Sequence, residues 1–327
     1  MFIQFFKENN TPSLIALPVL TTLVYSLCFF RNVPIISITD AGPIYIWMMN
    51  YINQFSRPVV FLTGLILLIS QVFYLNHITN KYEVLYQPSH LPALIYIICM
   101  GLFPDFLCLH PMLFVNLILL VVLELLFSVY KSDTVLSTVF NAGFLLAIAT
   151  LFYIPSVALF LLIWISLILL RPYAWRDWVI SLIGFSIPFF FISVYYLYVN
   201  QLPLFGSHIL NFTDSHLLFA FVFNQRYYFS LGVIFSLLIA SIIMLQGNFY
   251  KNFIRTRRYQ QALGAFLILS SVSFMLATAV SLYHFTIVAI PLSIFIGYYF
   301  LATEMKFWRE VFFLVLVAVM VYNYIIF

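Results

Sequence analysis

Long apolar stretches recur along the whole chain, and they constrain its fold more than any other feature. About 20 apolar residues in a row are enough to cross a hydrocarbon core of roughly 30 Å as a helix. Backbone groups inside a bilayer must hydrogen-bond within their own segment, so each stretch is expected to be helical. The predicted stretches are residues 13–30, 58–75, 89–104, 110–130, 135–152, 154–170, 178–199, 229–246, 262–282, 285–302 and 311–326. The sequence therefore predicts an all-α, polytopic transmembrane helix bundle of about eleven spans.

Charged residues are too few to cover a water-soluble protein of this size. Only 7% of the 327 residues are charged and 65% are apolar, whereas an average soluble domain is about 25% charged. This composition excludes a soluble enzyme, a nucleic-acid-binding domain and a disordered chain. Membrane lipid is the expected partner, nucleic acid is not, and no pattern identifies a protein partner or a cofactor. The three cysteines show no paired spacing, so no metal site is predicted.

The distribution of basic residues predicts how the chain is oriented. With the N-terminus inside and alternating loops, eleven of the 14 Lys and Arg residues fall on the inner side. Only Arg31, Arg57 and Arg226 fall on the outer side. Inner loops of membrane proteins are enriched in Lys and Arg. The pattern therefore predicts an inside N-terminus and an outside C-terminus.

The first outer loop, at about residues 31–57, is predicted to contain a short helix that lies in the membrane interface. Pro43 suits the first turn of a helix, and Asp40 or Thr39 can cap it. The stretch 43–55 is too short to span, and its apolar side chains cover one broad face. Asp40 stands just before this helix, either as a cap or as a functional carboxylate.

The second outer loop places Asp105 and His110 among Phe and Leu residues. A carboxylate in apolar surroundings at a membrane surface is costly without a partner. Asp105 is therefore a candidate functional residue, with a solvated loop carboxylate as the alternative. Within the spans Glu124 is the only acidic residue, and pairing with Lys131 or Asn141 is as compatible with its position as a transport role. Asn116 is expected to hydrogen-bond between helices, as is Asn141.

Residues 138–199 carry a resemblance to an uncharacterised family of bacterial multi-pass envelope membrane proteins. The resemblance rests on the stretch that ends at Pro155, on RPYAWRDW at residues 171–178 and on the following span with Gly184 and Pro188. It extends back through HLPALIYIICMGLFP and covers about two thirds of the chain. It implies a location in the bacterial cytoplasmic (inner) membrane.

The layout also resembles the GT-C superfamily, the integral membrane glycosyltransferases that use polyprenyl-phosphate-linked sugars. Members typically have an inside N-terminus, and an acidic residue and membrane-parallel helices in the first outer loop. Their second outer loop often has another acidic residue. Asp40 and Asp105 match these two positions, although the chain has no adjacent acidic pair and no Asp-x-Asp. The resemblance implies one integral membrane domain over 1–327, with a GT-C-like module at about 1–199 and C-terminal spans at about 229–326.

That resemblance assigns chemistry to particular residues. Asp40 would act as general base on an acceptor hydroxyl, and Asp105 as a second acid or a metal-holding group. Arginine binds a phosphate through two parallel hydrogen bonds, which suits a leaving lipid phosphate. The predicted substrate-binding residues are Arg31, Arg57, His110 and Arg226.

Two other functions remain open from the sequence. A structural or assembly subunit of an envelope complex would expose small residues to a partner, and Gly143 and Ala147 lie one helical turn apart. A transporter or lipid flippase would use broken helices, for which Pro188 and Pro291 are candidates. One acidic residue in eleven spans, however, is little for ion coupling.

Overall fold

The computed structural model describes the larger part of the chain. The described residues are 2–29, 41–52, 57–107, 109–130, 132, 135–171, 175–201, 203, 206, 227–277, 282–303 and 305–326. Within these ranges the α-helices are α1 (Phe2–Lys7), α2 (Thr11–Phe29), α3 (Pro43–Ile52), α4 (Arg57–Lys81), α5 (Leu91–Gly101), α6 (Pro111–Ser128), α7 (Leu136–Phe152), α8 (Phe160–Leu170), α9 (Trp175–Tyr198), α10 (Tyr227–Asn248), α11 (Ile254–Val272), α12 (Ala289–Ala302) and α13 (Lys306–Ile326). The described part contains no strand, only an isolated bridge between Ala41 and Tyr153.

The helical fold class is confirmed. Seven helices of the described residues are long and apolar enough to cross a membrane: Pro58–Lys81, Pro111–Ser128, Trp175–Tyr198, Tyr227–Lys251, Ile254–Leu276, Leu282–Ala302 and Phe307–Tyr324. Four further apolar helices are shorter: Thr11–Leu27, Leu91–Gly101, Leu136–Phe152 and Ile154–Leu170. Each predicted span overlaps one of these helices, and by length and composition alone the shorter ones do not qualify as crossings.

The short helix predicted at residues 43–55 is present as α3, which ends at Ile52. Residues 53–56 lie outside the described residues. Tyr45 and Met49 are buried against the bundle, whereas Trp47 is exposed. Only part of the apolar surface of α3 therefore packs against the rest of the bundle, and Trp47 remains exposed.

Some prolines of the chain lie at the start of a helix, whereas Pro188 lies inside one. Pro111 opens α6 directly after His110, and Pro92 lies in the first turn of α5, where a missing N–H costs nothing. Pro155 opens the 3-10 turn Ile154–Leu159 that separates α7 from α8. Pro188, a candidate for a helix break, lies inside α9, which continues through it.

The segments that connect the helices gather at two ends of the bundle. One group, here called the Tyr153 end, comprises residues 41–45, 102–110, 152–155, 227–230, 282–286 and 323. The other group, here called the Lys7 end, comprises residues 3–10, 78–90, 124–132, 171, 251–260 and 301–309. Helices α5, α6 and α12 each have one terminus in each group, so the two ends are opposite.

A buried polar network joins four elements in the middle of the bundle. The Tyr96 hydroxyl donates to Gln71 Oε1 at 2.5 Å, and Gln71 Nε2 donates to the Leu113 carbonyl at 2.6 Å. Asn116 Nδ2 donates to the Thr286 carbonyl at 3.0 Å. The interhelical hydrogen bonds predicted for Asn116 are thus confirmed, whereas Asn141 is exposed. Buried polar groups need partners, so this network specifies how α4, α5, α6 and Leu282–Val288 fit together.

Candidate functional site

Asp105 lies at the Tyr153 end, in the 3-10 turn Pro104–Leu107 that links α5 to α6. Its neighbours Phe103 and Phe106 are almost completely buried, and their rings contact each other edge-on at 5.1 Å. All of α5 is buried as well. The turn therefore places Asp105 among buried apolar residues.

The Asp105 carboxylate is half-buried and makes no hydrogen bond or ion pair with the described residues. Burial raises the pKa of Asp105 above its ordinary value, because the charged form loses hydration. A carboxyl group in this condition is suited to exchange a proton with a bound molecule. Perturbed carboxylates of this kind mark candidate functional sites.

His110 lies immediately before α6 and is completely buried. Its Nε2 lies 3.2 Å from the Phe106 carbonyl, and its ring stacks on Tyr283 at 6.2 Å. Burial lowers the pKa of His110 to about 4, so the imidazole is neutral near pH 7. Because a carbonyl only accepts, Nε2 must hold the proton, which leaves Nδ1 as an acceptor without a partner among the described residues.

A second buried histidine, His284, joins two elements at the same end. The Tyr153 hydroxyl hydrogen-bonds to His284 Nδ1, and His284 Nε2 lies 3.4 Å from Ser273 Oγ. The order of hydroxyl, imidazole and hydroxyl resembles an activated nucleophile. Ser273, however, donates its proton to the Ser270 carbonyl at 2.7 Å, and all three side chains are buried. The cluster links the residue that follows α7 with the 3-10 turns Ser273–Leu276 and Leu282–Val288.

The segment that includes the start of α3 contacts the connection between α5 and α6, which contains Asp105. Tyr45 of α3 donates its hydroxyl hydrogen to the Leu109 carbonyl at 3.2 Å. The Gly42 amide donates to the Phe152 carbonyl at 2.9 Å, and a Cβ on Gly42 would lie 2.0 Å from the Leu151 carbonyl oxygen. Only glycine allows so close an approach. Residues 41–45 therefore lie across the ends of α6 and α7.

The other predicted site residues are not all described. Asp40, Arg31 and Arg226 lie outside the described residues. Arg57 begins α4, and only its backbone is described. Among the described residues no group of three or more His, Cys, Asp or Glu is placed to hold a metal ion.

Glu124 pairs with α4 rather than with Asn141. It accepts hydrogen bonds from Lys81 Nζ at 2.5 Å and from the Tyr74 hydroxyl, and its Oε1 lies 3.9 Å from His77 Nε2. The three partners occupy positions i, i+3 and i+7 of α4, one face of a helix, and this spacing was readable in the sequence. Lys131 lies outside the described residues. Glu124 is thus an ion-pairing residue near the Lys7 end.

We expect this ion pair to contribute little to stability, because the Lys81 side chain is 47% exposed. A double-mutant cycle of Lys81→Met and Glu124→Gln should give a coupling free energy of about 0.5–1 kcal/mol, measured from thermal unfolding in detergent. The coupling should decrease with added salt, because ions screen exposed charges. A larger coupling that salt leaves unchanged would contradict this interpretation.

The RPYAWRDW stretch, residues 171–178, runs from the end of α8 into the start of α9. Arg171 Nε lies 3.5 Å from Asp177 Oδ2, and Arg171 Nη1 donates to the Ser132 carbonyl at 2.9 Å. Asp177 is almost completely buried, while the Arg176 guanidinium lies 6.0 Å from the Trp175 ring. Arg171 and Asp177 therefore link the ends of α8 and α9 to each other and to Ser132.

Comparisons with protein-family models, curated proteins and solved structures found no match to this chain. The fold and the composition alone define the class of protein. It is an all-helical protein with several helices suited to a membrane, which fits a multi-pass membrane protein in contact with lipid.

Proposed function

We propose that the chain crosses the bacterial cytoplasmic membrane eleven times, with its N-terminus inside and its C-terminus outside. The contacts support this path, because the loops assigned to each side by alternation meet at the same end of the bundle. Basic residues also concentrate at the Lys7 end, where Lys7, Lys81, Arg255 and Arg309 lie. Such enrichment is typical of the cytoplasmic side.

We propose further that the protein is a GT-C-like glycosyltransferase that acts on polyprenyl-phosphate-linked sugar at the Tyr153 end. The observation that carries this proposal is the half-buried carboxylate of Asp105, which has a raised pKa and no partner among the described residues. The Tyr45 to Leu109 hydrogen bond supports it, since it brings the first outer loop to the loop of Asp105. Residues from two loops then contribute to one site, as loops on a rigid scaffold commonly do.

The reaction is a transfer of a glycosyl group from lipid phosphate to a hydroxyl. The acceptor oxygen forms a bond to the anomeric carbon, and the bond from that carbon to the phosphate oxygen breaks. Its electrons leave with the polyprenyl phosphate. The acceptor proton passes to a carboxylate, either Asp105 or the predicted base Asp40. Arg31, Arg57 and Arg226 are the proposed partners of the leaving phosphate.

Radiolabelled transfer tests the activity directly. Membranes from cells that produce the chain, and matched membranes without it, receive polyprenyl-phosphate hexose labelled in the sugar. Label should move from the lipid phosphate to a product only when the chain is present, with release of unlabelled polyprenyl phosphate. Equal transfer in both membranes would contradict the proposal.

The structure weakens the two alternative functions at specific residues. The small-residue face expected for a structural subunit is covered within the chain, since Ala147 is buried and Gly143 contacts the Ser181 backbone of α9. Pro188, proposed as a transporter's helix break, lies in continuous α9. Pro291 lies in the first turn of α12, where proline is tolerated.

A further inference from the structure

A polar cavity lies at the Lys7 end, opposite Asp105. Its volume is about 600 Å³, within the usual range for small-molecule sites. It is lined by residues of α1, of the α4–α5 connection and of the start of α13. Its polar lining residues include Lys7, Glu8, Gln87 and Arg309. None of these residues belongs to the proposed transferase site. The cavity is therefore separate from the proposed transferase site.

Arg309 is the most unusual residue of this cavity. Only 4% of it is exposed, and its Nε has no hydrogen-bond partner among the described residues. Buried guanidinium groups are normally paired, because removing a charge from water is costly. A group that is missing from the protein itself would complete the coordination of Arg309.

Lys7 adds a second positive charge to the same cavity. Its Nζ donates to the Leu301 carbonyl at 3.0 Å, and this single bond leaves two of its three hydrogens without a described acceptor. Burial and, secondarily, repulsion from Arg309 lower the pKa of Lys7. The fold thus holds two like charges close enough to oppose each other.

The start of α13 strengthens the preference for an anion. Arg309 lies in the first turn of this helix, and that turn contains no acidic residue. The unpaired N–H groups of a helix start favour negative charge, so a cation there is out of place unless an anion binds between them. Glu8 is the acidic residue at the rim, and its carboxylate accepts from Asn10 Nδ2 at 2.9 Å. It is not placed by any described contact to neutralise Arg309.

We propose that this cavity binds a phosphate group, with Arg309 and Lys7 as its charged partners and Gln87 as a neutral donor. Arginine matches phosphate geometry with two parallel hydrogen bonds, and lysine adds a point charge. The phosphate belongs either to an anionic phospholipid or to a soluble phosphate ester. Basic pockets at the cytoplasmic side of helix bundles bind lipid headgroups in this manner. The proposal is independent of the transferase activity, because the two sites lie at opposite ends.

Native mass spectrometry of the full chain in detergent tests the site, with phosphatidylglycerol and inorganic phosphate as the probes. Wild-type protein should retain one phosphatidylglycerol more tightly than phosphatidylcholine. Arg309→Gln should weaken this binding about tenfold or more, as expected for the loss of a charge-assisted hydrogen bond. Arg258→Gln is the matched control, since Arg258 is an exposed arginine at the same end. It should bind like wild type.

Competition distinguishes the two sources of phosphate. Retention of phosphatidylglycerol in a large excess of inorganic phosphate supports a lipid headgroup, and its displacement with a rise in thermal midpoint supports a soluble ester. Lys7→Gln, at a partly exposed side chain, provides a second variant that should also weaken binding if Arg309→Gln does not fold. Unchanged binding in the folded variants, or an equal loss in Arg258→Gln, would overturn the proposal.

Discussion

Replacing Asp105 by asparagine is expected to lower the rate of sugar transfer by a factor of about 10² to 10⁴, the usual contribution of a general acid or base. Asparagine has nearly the same shape but cannot accept a proton at this position. The measurement is release of polyprenyl phosphate from labelled polyprenyl-phosphate hexose by purified protein in lipid vesicles. Glu83→Gln is a matched control, because Glu83 is an exposed acid at the opposite end of the bundle.

Asp105→Asn should lower the transfer rate but should not lower the free energy of unfolding. The raised pKa of Asp105 means that the folded state binds its proton more tightly than the unfolded state does. Its favourable contribution is therefore present in acid and is lost as the pH rises through the raised pKa. Asparagine has no such loss, so the variant should be at least as stable as wild type at pH 7. Their difference should change with pH across that window.

With Asp105 as the base, the transfer rate of the wild-type protein should rise with pH through the raised pKa of Asp105, because the carboxylate is the active form of a base. An Asp105→Asn protein that is stable and fully active would contradict the assignment of Asp105. An unstable variant at neutral pH would instead contradict its unpartnered state. The two measurements thus separate catalytic from structural importance.

Replacing Gly143 by leucine is expected to lower the free energy of unfolding by about 3 kcal/mol, at the upper end of overpacking effects. A Cβ on Gly143 would lie 2.3 Å from the Ser181 carbonyl oxygen, and one on Gly184 would lie 2.3 Å from the Phe140 carbonyl oxygen. Each glycine thus admits the backbone of the other helix. A side chain at either position must push α7 and α9 apart.

Tryptophan fluorescence during thermal unfolding can report this separation. Trp164 of α8 stacks on Trp178 of α9 at 5.7 Å, and its indole donates to Ser181 Oγ at 3.2 Å. Gly143→Leu should therefore change the fluorescence of the folded state as well as lower the midpoint. Gly232→Leu is the control, because a Cβ on this α10 glycine meets nothing within 4 Å. A similar midpoint for both variants would contradict the close packing.

Hydrophobic segments made the helices predictable from the sequence. The run that predicts a span at 110–130 corresponds to α6, which begins at Pro111. Helix ends were less accurate: the predicted span 262–282 corresponds to a helix that begins at Ile254. Polar residues such as Arg255 and Arg257 continue that helix beyond its apolar part. A hydropathy pattern does not detect such an extension, because polar residues can continue a helix through its backbone hydrogen bonds.

The sequence was enough to select candidate site residues by residue type, but it did not show which residues they contact. An acidic residue in the apolar segment predicted to be the second outer loop singled out Asp105, which the structure shows to be half-buried. The sequence did not indicate that Glu124 pairs with Lys81, or that Lys7 and Arg309 line one cavity from opposite ends of the chain. Both arrangements depend on how the helices are packed.

The sequence by itself therefore determined the class of the protein, because apolar length and scarce charge leave helices in a membrane as the only stable arrangement. It also determined that a short helix begins at Pro43. Only the tertiary structure decided which loops share an end and that Gly143 faces α9 rather than a partner protein. Only it decided that two cations line one cavity at the Lys7 end. The reason is physical: hydropathy acts on each segment separately, whereas ion pairs, close backbone contacts and cavities arise from side chains far apart in sequence.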